Sequence, residues 1–237
     1  MDTLQHAQER LAFHILTLFP DMITEAVSHS ILGRAIRNGV IRVNPVNIRD
    51  FAINKHGQVD DAPYGGGAGM VMMAQPIYDA YQYICRGGVF PPVIYLSPQG
   101  KVLTQSKAQE LSTHKNLILL CGHYEGVDER IIEEIVTEEI SIGDYVLTGG
   151  EPAALVLMDA VSRLVPGVLG KAESYQDESF SGDTQLLEYP HYTRPPEFMG
   201  RTVPDVLLSG HHGNIDAWRR LEAVERTHAK RPDLINK

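Results

Sequence analysis

Three short apolar runs, Pro92–Leu96, Asn116–Cys121 and Glu138–Ile142, each stop abruptly at glycine, proline or polar residues. Mainly apolar runs of this length, bounded by turn residues, fit buried strands. Phe13–Phe19 reads as another buried strand. Pro20-Asp21 ends it and opens a helix through about Arg37. Val40–Ile48, rich in β-branched residues, reads as a strand, and Lys55–Met70 has the composition of a turn. A helix from near Pro76 places Ile77, Tyr78, Tyr81 and Ile84 on one face. Another over Val127–Val136 groups Val127, Ile131, Ile132 and Ile135. Pro152–Val165 is apolar nearly all round, which predicts burial on several sides. Strands alternating with helices predict an α/β fold with a mostly parallel sheet.

The pattern changes after Leu169. Residues 170–190 hold five acidic residues and one lysine, with Ser, Gly and Gln in no period, and read as a mobile linker. Ile215–Lys230 is amphipathic, with Trp218, Leu221 and Val224 predicted inward and Arg219, Arg220, Arg226 and Lys230 largely outward. The chain therefore divides into an extension (1–12), an α/β domain (13–169), a linker (170–190) and a small helical C-terminal domain (191–237).

Composition narrows the function. No apolar run approaches the ~20 residues that span a bilayer, and Met1–Arg10 lacks the apolar core of a secretory signal. A cytoplasmic protein with no membrane association follows. The two cysteines, Cys85 and Cys121, sit in apolar segments and read as buried thiols rather than a disulfide. A net charge of −9 argues against indiscriminate nucleic-acid binding. Residues 191–237 nonetheless carry eight Lys/Arg against six Asp/Glu, leaving room for a local basic patch.

The three glycine- or proline-marked strand ends carry the chemistry. In α/β proteins ligands bind at the carboxyl ends of strands, and ends so poor in side chains imply a pocket of main chain suited to a flat heterocycle. The loop Pro63–Met70 could cradle a phosphate, yet no Lys-Ser/Thr follows it as a nucleotide-binding loop requires. A nucleotide-phosphate-binding protein and a non-catalytic RNA-binding module are the rival readings. His191, His211 and His212 lack metal-ligand spacing.

The segments Leu18-Phe19-Pro20, Asn47–Phe51, Pro63–Met70, Tyr95–Gly100, Cys121–Arg130, Ser141–Glu151, Pro166–Gly170 and Pro190–Pro195 together resemble the bacterial tRNA (guanine-N1-)-methyltransferase (TrmD) family, in order and spacing from about Phe13 to Ile235. The resemblance implies a knotted (SPOUT) fold with a deep trefoil knot and S-adenosyl-L-methionine as cofactor. It implies methylation of N1 of the guanosine 3′ of the tRNA anticodon (tRNA position 37), and a homodimer with active sites between subunits. Mg²⁺ serves some relatives, and nothing in this sequence requires it.

Carried over position by position, the resemblance implies a cofactor site of Tyr95, Leu96, Ser97, Pro98, Gly122, Tyr124, Glu125, Ile142, Gly143, Tyr145, Leu147, Gly149 and Gly150. Tyr124 and Glu125 would flank the reacting groups, and Arg163 would donate to guanine O6. Asp60, Arg219, Arg220 and Arg226 are the implied tRNA contacts. The family's base is an Asp immediately before Ser; here Glu178 holds that position and Asp177 precedes it. Spacing favours Glu178, residue type Asp177. His123, Ala62 and Ala68 also depart from residues common in the family, Arg at 123 among them, and bear on RNA contacts.

Overall fold

The computed structural model describes residues 11–169, 178–180 and 186–235. The chain divides into two compact units, Met1–Gly170 and Lys171–Lys237.

The first unit is built on a five-stranded sheet: β1 (Leu11–Thr17), β2 (Ile41–Asn47), β5 (Val93–Val102), β6 (Asn116–Cys121) and β7 (Glu138–Ser141). All pairings are parallel and the order is β2-β1-β6-β5-β7. A small antiparallel pair, β3 (Asp60–Asp61) with β4 (Val71–Met72), brackets the glycine-rich loop. Among the described residues the unit has six α-helices: α1 (Pro20–Val27), α2 (Ser30–Arg37), α3 (Ala74–Cys85), α4 (Gln105–Leu111), α5 (Glu129–Ile135) and α6 (Glu151–Ser162).

Side chains alternate across the sheet, so β1, β2, β5 and β6 each feed two cores. Phe13, Ile15, Ile94, Leu96, Leu117 and Leu119 are buried with residues of α1, α2, α4 and α6. Leu16, Val93, Tyr95, Ile118 and Leu120 pack with Ile77 and Ala80 of α3 and Ile131 and Ile135 of α5. Burying each Leu or Ile contributes about 1.5–3 kcal/mol. Helices on both faces favour apolar residues on both sides of the central strands, which is why Leu117–Cys121 of β6 is apolar without a break.

Several boundaries differ from the sequence reading. β1 begins at Leu11, and Leu11 and Ala12 are buried, so the expected extension does not reach residue 12. The single helix expected from Pro20 to Arg37 is two. The chain breaks at Ser28–His29, and Gly33 lies so close to the Ser28 carbonyl that an added Cβ would sit 2.1 Å from its oxygen. β5 runs past Leu96 to Val102, but Ser97–Gly100 leave the ladder, since both Leu96 and Lys101 pair with Ile140. Helix α6 buries Ala153, Ala154, Leu157, Met158 and Val161, yet Val156 is 49 % exposed, so burial on this chain is one-sided.

The C-terminal unit contains a two-residue hairpin, β8 (Glu197–Phe198) with β9 (Arg201–Thr202), then α7 (Asp205–Leu208) and the long α8 (His212–Lys230). On α8, Ile215 and Thr227 are buried and Trp218 is half-buried, whereas Leu221 and Val224, expected inward, are exposed. Arg219 and Arg226, expected outward, are half-buried, and Arg219 lies over the Tyr189 ring at 4.9 Å. The expected linker falls largely outside the described residues. Its described parts are bonded within this unit: the Phe180 amide donates to the Leu186 carbonyl, the Glu188 amide to Ser179 Oγ, and the Leu187 amide to Thr227 Oγ1.

Candidate active site

The chain goes from β5 to β6 on one side and then crosses back to β7 on the other. The carboxyl ends of these three strands therefore open into one crevice, the place where α/β sheets bind ligands. A cavity of about 400 Å³ lies there, lined by Tyr95–Gln99, Gly122–Val127, Glu139–Gly143 and Tyr145–Gly150, with Glu129, Ile132 and Ala153. Every cofactor residue implied by the resemblance is on this wall.

The glycines are where the wall is tightest. A Cβ on Gly122 would sit 3.0 Å from the Tyr95 hydroxyl, and one on Gly149 would sit 2.2 Å from His123 Cε1. A Cβ on Gly150 would meet backbone, 2.7 Å from Cys121 Cα, because the Gly150 amide donates to the Gly122 carbonyl at 2.9 Å. The glycines thus admit neighbouring protein atoms, whereas the sequence reading had them clearing space for a ligand. Burial pushes the Tyr95 phenol up to about 12, with Glu139 and Glu129 adding to it, so it remains a donor. Burial, then the Glu151 charge, pushes the Cys121 thiol well above its ordinary value, which makes it an inert packing group.

Tyr124 and Glu125 follow β6 in a turn that requires φ +60° at Tyr124, and both side chains are exposed at the cavity. The glycine-rich loop ends against them: the Glu125 amide donates to the Met70 carbonyl at 3.0 Å, and Gly69 abuts the Glu125 side chain. Asp60 sits on β3 at the base of the same loop.

Sequence reasoning missed one buried cluster. Glu151, the first residue of α6, is 1 % exposed; its Oε1 accepts from Thr17 Oγ1 at 2.6 Å, and its Oε2 lies 2.6 Å from His123 Nε2. Thr17 Oγ1 in turn accepts from the Phe19 amide at 2.9 Å, and the Phe19 ring packs on His123 with centroids 5.0 Å apart. Burial would raise the Glu151 carboxyl, but hydrogen bonds from His123 and Thr17 outweigh it and hold it below its ordinary value. Its place at a helix N-terminus also favours the charge. His123, tied by the sequence to RNA contacts, turns inward instead. No spacing rule links positions 17, 123 and 151; only the fold joins them.

The two residues implied for the guanine belong to other elements. Arg163 caps the far end of α6, which at 1.5 Å per residue lies roughly 18 Å along the axis from Glu151, and it is not on the cavity wall. Glu178 belongs to the C-terminal unit, half-buried beside the anchored Ser179, and Asp177 lies outside the described residues. Of the implied RNA contacts, Arg220 is exposed, while Arg219 and Arg226 are half-buried. His191 pairs with Glu188 at 2.9 Å. Among the described residues no group of three or more His, Cys, Asp or Glu is placed to hold a metal ion, and no helix is long and apolar enough to cross a membrane.

Comparison with known proteins gives a consistent result. The family profile described as tRNA (Guanine-1)-methyltransferase TrmD matches residues 11–237. A protein of Ruminiclostridium cellulolyticum named tRNA (guanine-N(1)-)-methyltransferase is 61% identical over 229 residues, covering 96% of this chain and 97% of that protein. Proteins of the same name from Clostridioides difficile and Lachnospira eligens are 57% identical (96% of this chain, 98% of theirs) and 56% identical (94% of each).

Proposed function

The chain belongs to the tRNA (guanine-1)-methyltransferase family TrmD, and we infer that it transfers a methyl group from S-adenosyl-L-methionine to N1 of the guanosine immediately 3′ of a tRNA anticodon. Family membership sets aside the readings as a nucleotide-phosphate-binding protein or a non-catalytic RNA-binding module. The observation that carries the cofactor assignment is the cavity at the ends of β5, β6 and β7. Its volume of about 400 Å³ and its main-chain lining suit a nucleoside with a short charged tail. Amides and carbonyls at Leu96, Gly122, Ile142 and Leu147 can read adenine edges, and Glu125 supplies a carboxylate beside a sulfonium. When bound, the cofactor supplies a methyl group on that electrophilic sulfur.

The chain's own groups handle the guanine proton and charge. N1 must lose a proton as it is methylated, and Glu178 is positioned by sequence to accept it. The bonds that hold Ser179 and Phe180 to residues 186–188 support this register. Arg163 stabilises the negative charge that builds on O6. Its separation from the cavity on the same chain favours a homodimer in which a second copy brings Arg163 to the site. The trefoil knot of the family would pass 141–150 beside 97–100 and 121–122, and the Gly150–Gly122 bond supports that path. Exposed Arg220 on α8, with Asp60 beside the glycine-rich loop, would contact the tRNA.

Calorimetry with S-adenosyl-L-methionine, then methylation of tRNA transcripts with and without G after the anticodon, tests the function. Saturable binding and G-dependent transfer are expected; no binding, or transfer that ignores that base, refutes it. Glu178→Gln should slow transfer by about 10²–10⁴-fold with tRNA and cofactor affinities intact. Full activity in Glu178→Gln together with loss in Asp177→Asn reassigns the base to Asp177.

A further inference from the structure

Glu151 joins segments that are far apart in sequence. Through Thr17 it holds the end of β1, and through His123 it holds the exit of β6. It is also the residue next to Gly150, whose amide bonds Gly122, while the His123 ring fills the space beside Gly149. Phe19 closes the circuit, its amide on Thr17 and its ring on His123. Thr17, Phe19 and Glu151 do not line the cavity, whereas His123 does.

A buried carboxylate at such a place is costly unless it does something an apolar residue could not. Packing alone would be served by Leu at 151 and a small apolar residue at 17. What the carboxylate adds is direction: two short hydrogen bonds, each from a different segment, fix where the imidazole and the first turn of α6 stand. Glycines 149 and 150 have no side chains to set their own position, so the loop that carries them needs an external reference.

We propose that Glu151, acting through His123 and Thr17, is a positioning residue for cofactor binding, holding the 143–150 wall of the cavity in its binding geometry before a ligand arrives. This role rests on the cavity being the cofactor site. Glu151 itself touches no reacting atom. Its effect is on affinity, with little on the rate of the chemical step once the cofactor is bound.

The test separates positioning from simple stability. His123→Leu leaves the Glu151 carboxylate short of a partner and should lower the melting temperature. Adding Glu151→Gln removes that buried charge and should restore most of the melting temperature. Affinity for S-adenosyl-L-methionine, measured by calorimetry, should stay about tenfold or more weaker in the double variant, and kcat at saturating cofactor should fall far less. His123→Gln, which keeps a donor near the Nε2 position, should recover most of the affinity. Hydrogen exchange of the unliganded chain should show 143–150 exchanging faster in His123→Leu and in the double variant. Recovery of affinity together with melting temperature in the double variant, or unchanged exchange at 143–150, overturns the proposal. If the wild-type chain binds no S-adenosyl-L-methionine, the cofactor assignment falls, and exchange at 143–150 still decides whether Glu151 positions the wall.

Discussion

Replacing Gly150 by alanine should destabilise the chain, although its backbone angles favour the change. Gly150 has φ −79° and ψ −15°, which any L-residue adopts, so no backbone strain is introduced. Glycine to alanine at such a position normally stabilises by about 0.4–1 kcal/mol, by restricting the unfolded chain. The opposing effect is contact: the new Cβ would stand 2.7 Å from Cys121 Cα and 3.0 Å from the Gly122 amide nitrogen. Both are backbone atoms at the end of a buried central strand, and no rotamer change relieves them. Reaching an ordinary contact near 3.4 Å requires α6 and β6 to part by about 0.7 Å, which strains the 2.9 Å Gly150–Gly122 bond. Overpacking of this kind costs about 1–3 kcal/mol. At mid-range contact therefore wins by roughly 1.3 kcal/mol, or a melting temperature lower by about 3–5 °C for a chain of this size. The same displacement moves two sides of the cavity apart and should weaken S-adenosyl-L-methionine binding about tenfold. Gly87→Ala, in the same unit with open space around its Cβ and no positive φ, is the control and should melt at or above the wild-type temperature. Thermal melting of both variants, with calorimetry on Gly150→Ala, decides the matter. A Gly150→Ala melting temperature that rises with the control would refute the contact argument.

Three further outcomes follow from the site. Light scattering at micromolar concentration should give a dimer. Mixing Arg163→Ala chains with Gly122→Val chains, whose new side chain pushes on the Tyr95 wall of the cavity, should restore activity, because in a mixed dimer one intact cavity meets an intact Arg163; monomers, or mixtures that stay inactive, contradict a shared site. Arg220→Glu should weaken tRNA binding and reduce its salt dependence by about one unit of slope without altering the melting temperature. Arg219→Glu, which also loses the Tyr189 contact, should melt earlier. The Glu151 carboxyl is held below its ordinary 4.5, so its stabilisation is fully present above that value and is lost as pH falls through its lower folded value. Wild type should therefore lose more stability than Glu151→Gln between about pH 5 and pH 3, and parallel curves would show that the bonds to His123 and Thr17 contribute nothing.

The sheet and the cavity were legible for a common reason. Strands buried on both faces must be apolar throughout, and strand ends that meet at a crevice must be short of side chains. Asn116–Cys121 followed by Gly122 shows both signals within seven residues. The break at Ser28–His29 was not legible, because Gly33 inside a helical pattern ordinarily signals only a weaker helix. Its close approach to the Ser28 carbonyl depends on where α1 ends. The inward face of α8 was misassigned because Leu221 and Val224 look apolar in sequence, whereas the unit buries Thr227 to hold Leu187. The Thr17–Glu151–His123 cluster left no trace in spacing, since each member comes from a different element. Arg163 could be identified by resemblance but not located, because its separation from the cavity depends on the length of α6.

Among the described residues the sheet ends in two margins, β2 and β7. An unpaired strand margin invites the margin of another molecule, and a parallel sheet assembled from distant segments exposes such margins for longer during folding. Here each is a poor template. β2 carries Pro45, which has no amide hydrogen to offer, along with Arg42 and Asn44; β7 is four residues long and begins with two glutamates. A newly made chain whose central strands have already zipped together thus presents neighbouring chains with a proline on one flank and only a four-residue strand on the other. Such a chain is built to finish its own sheet rather than join someone else's.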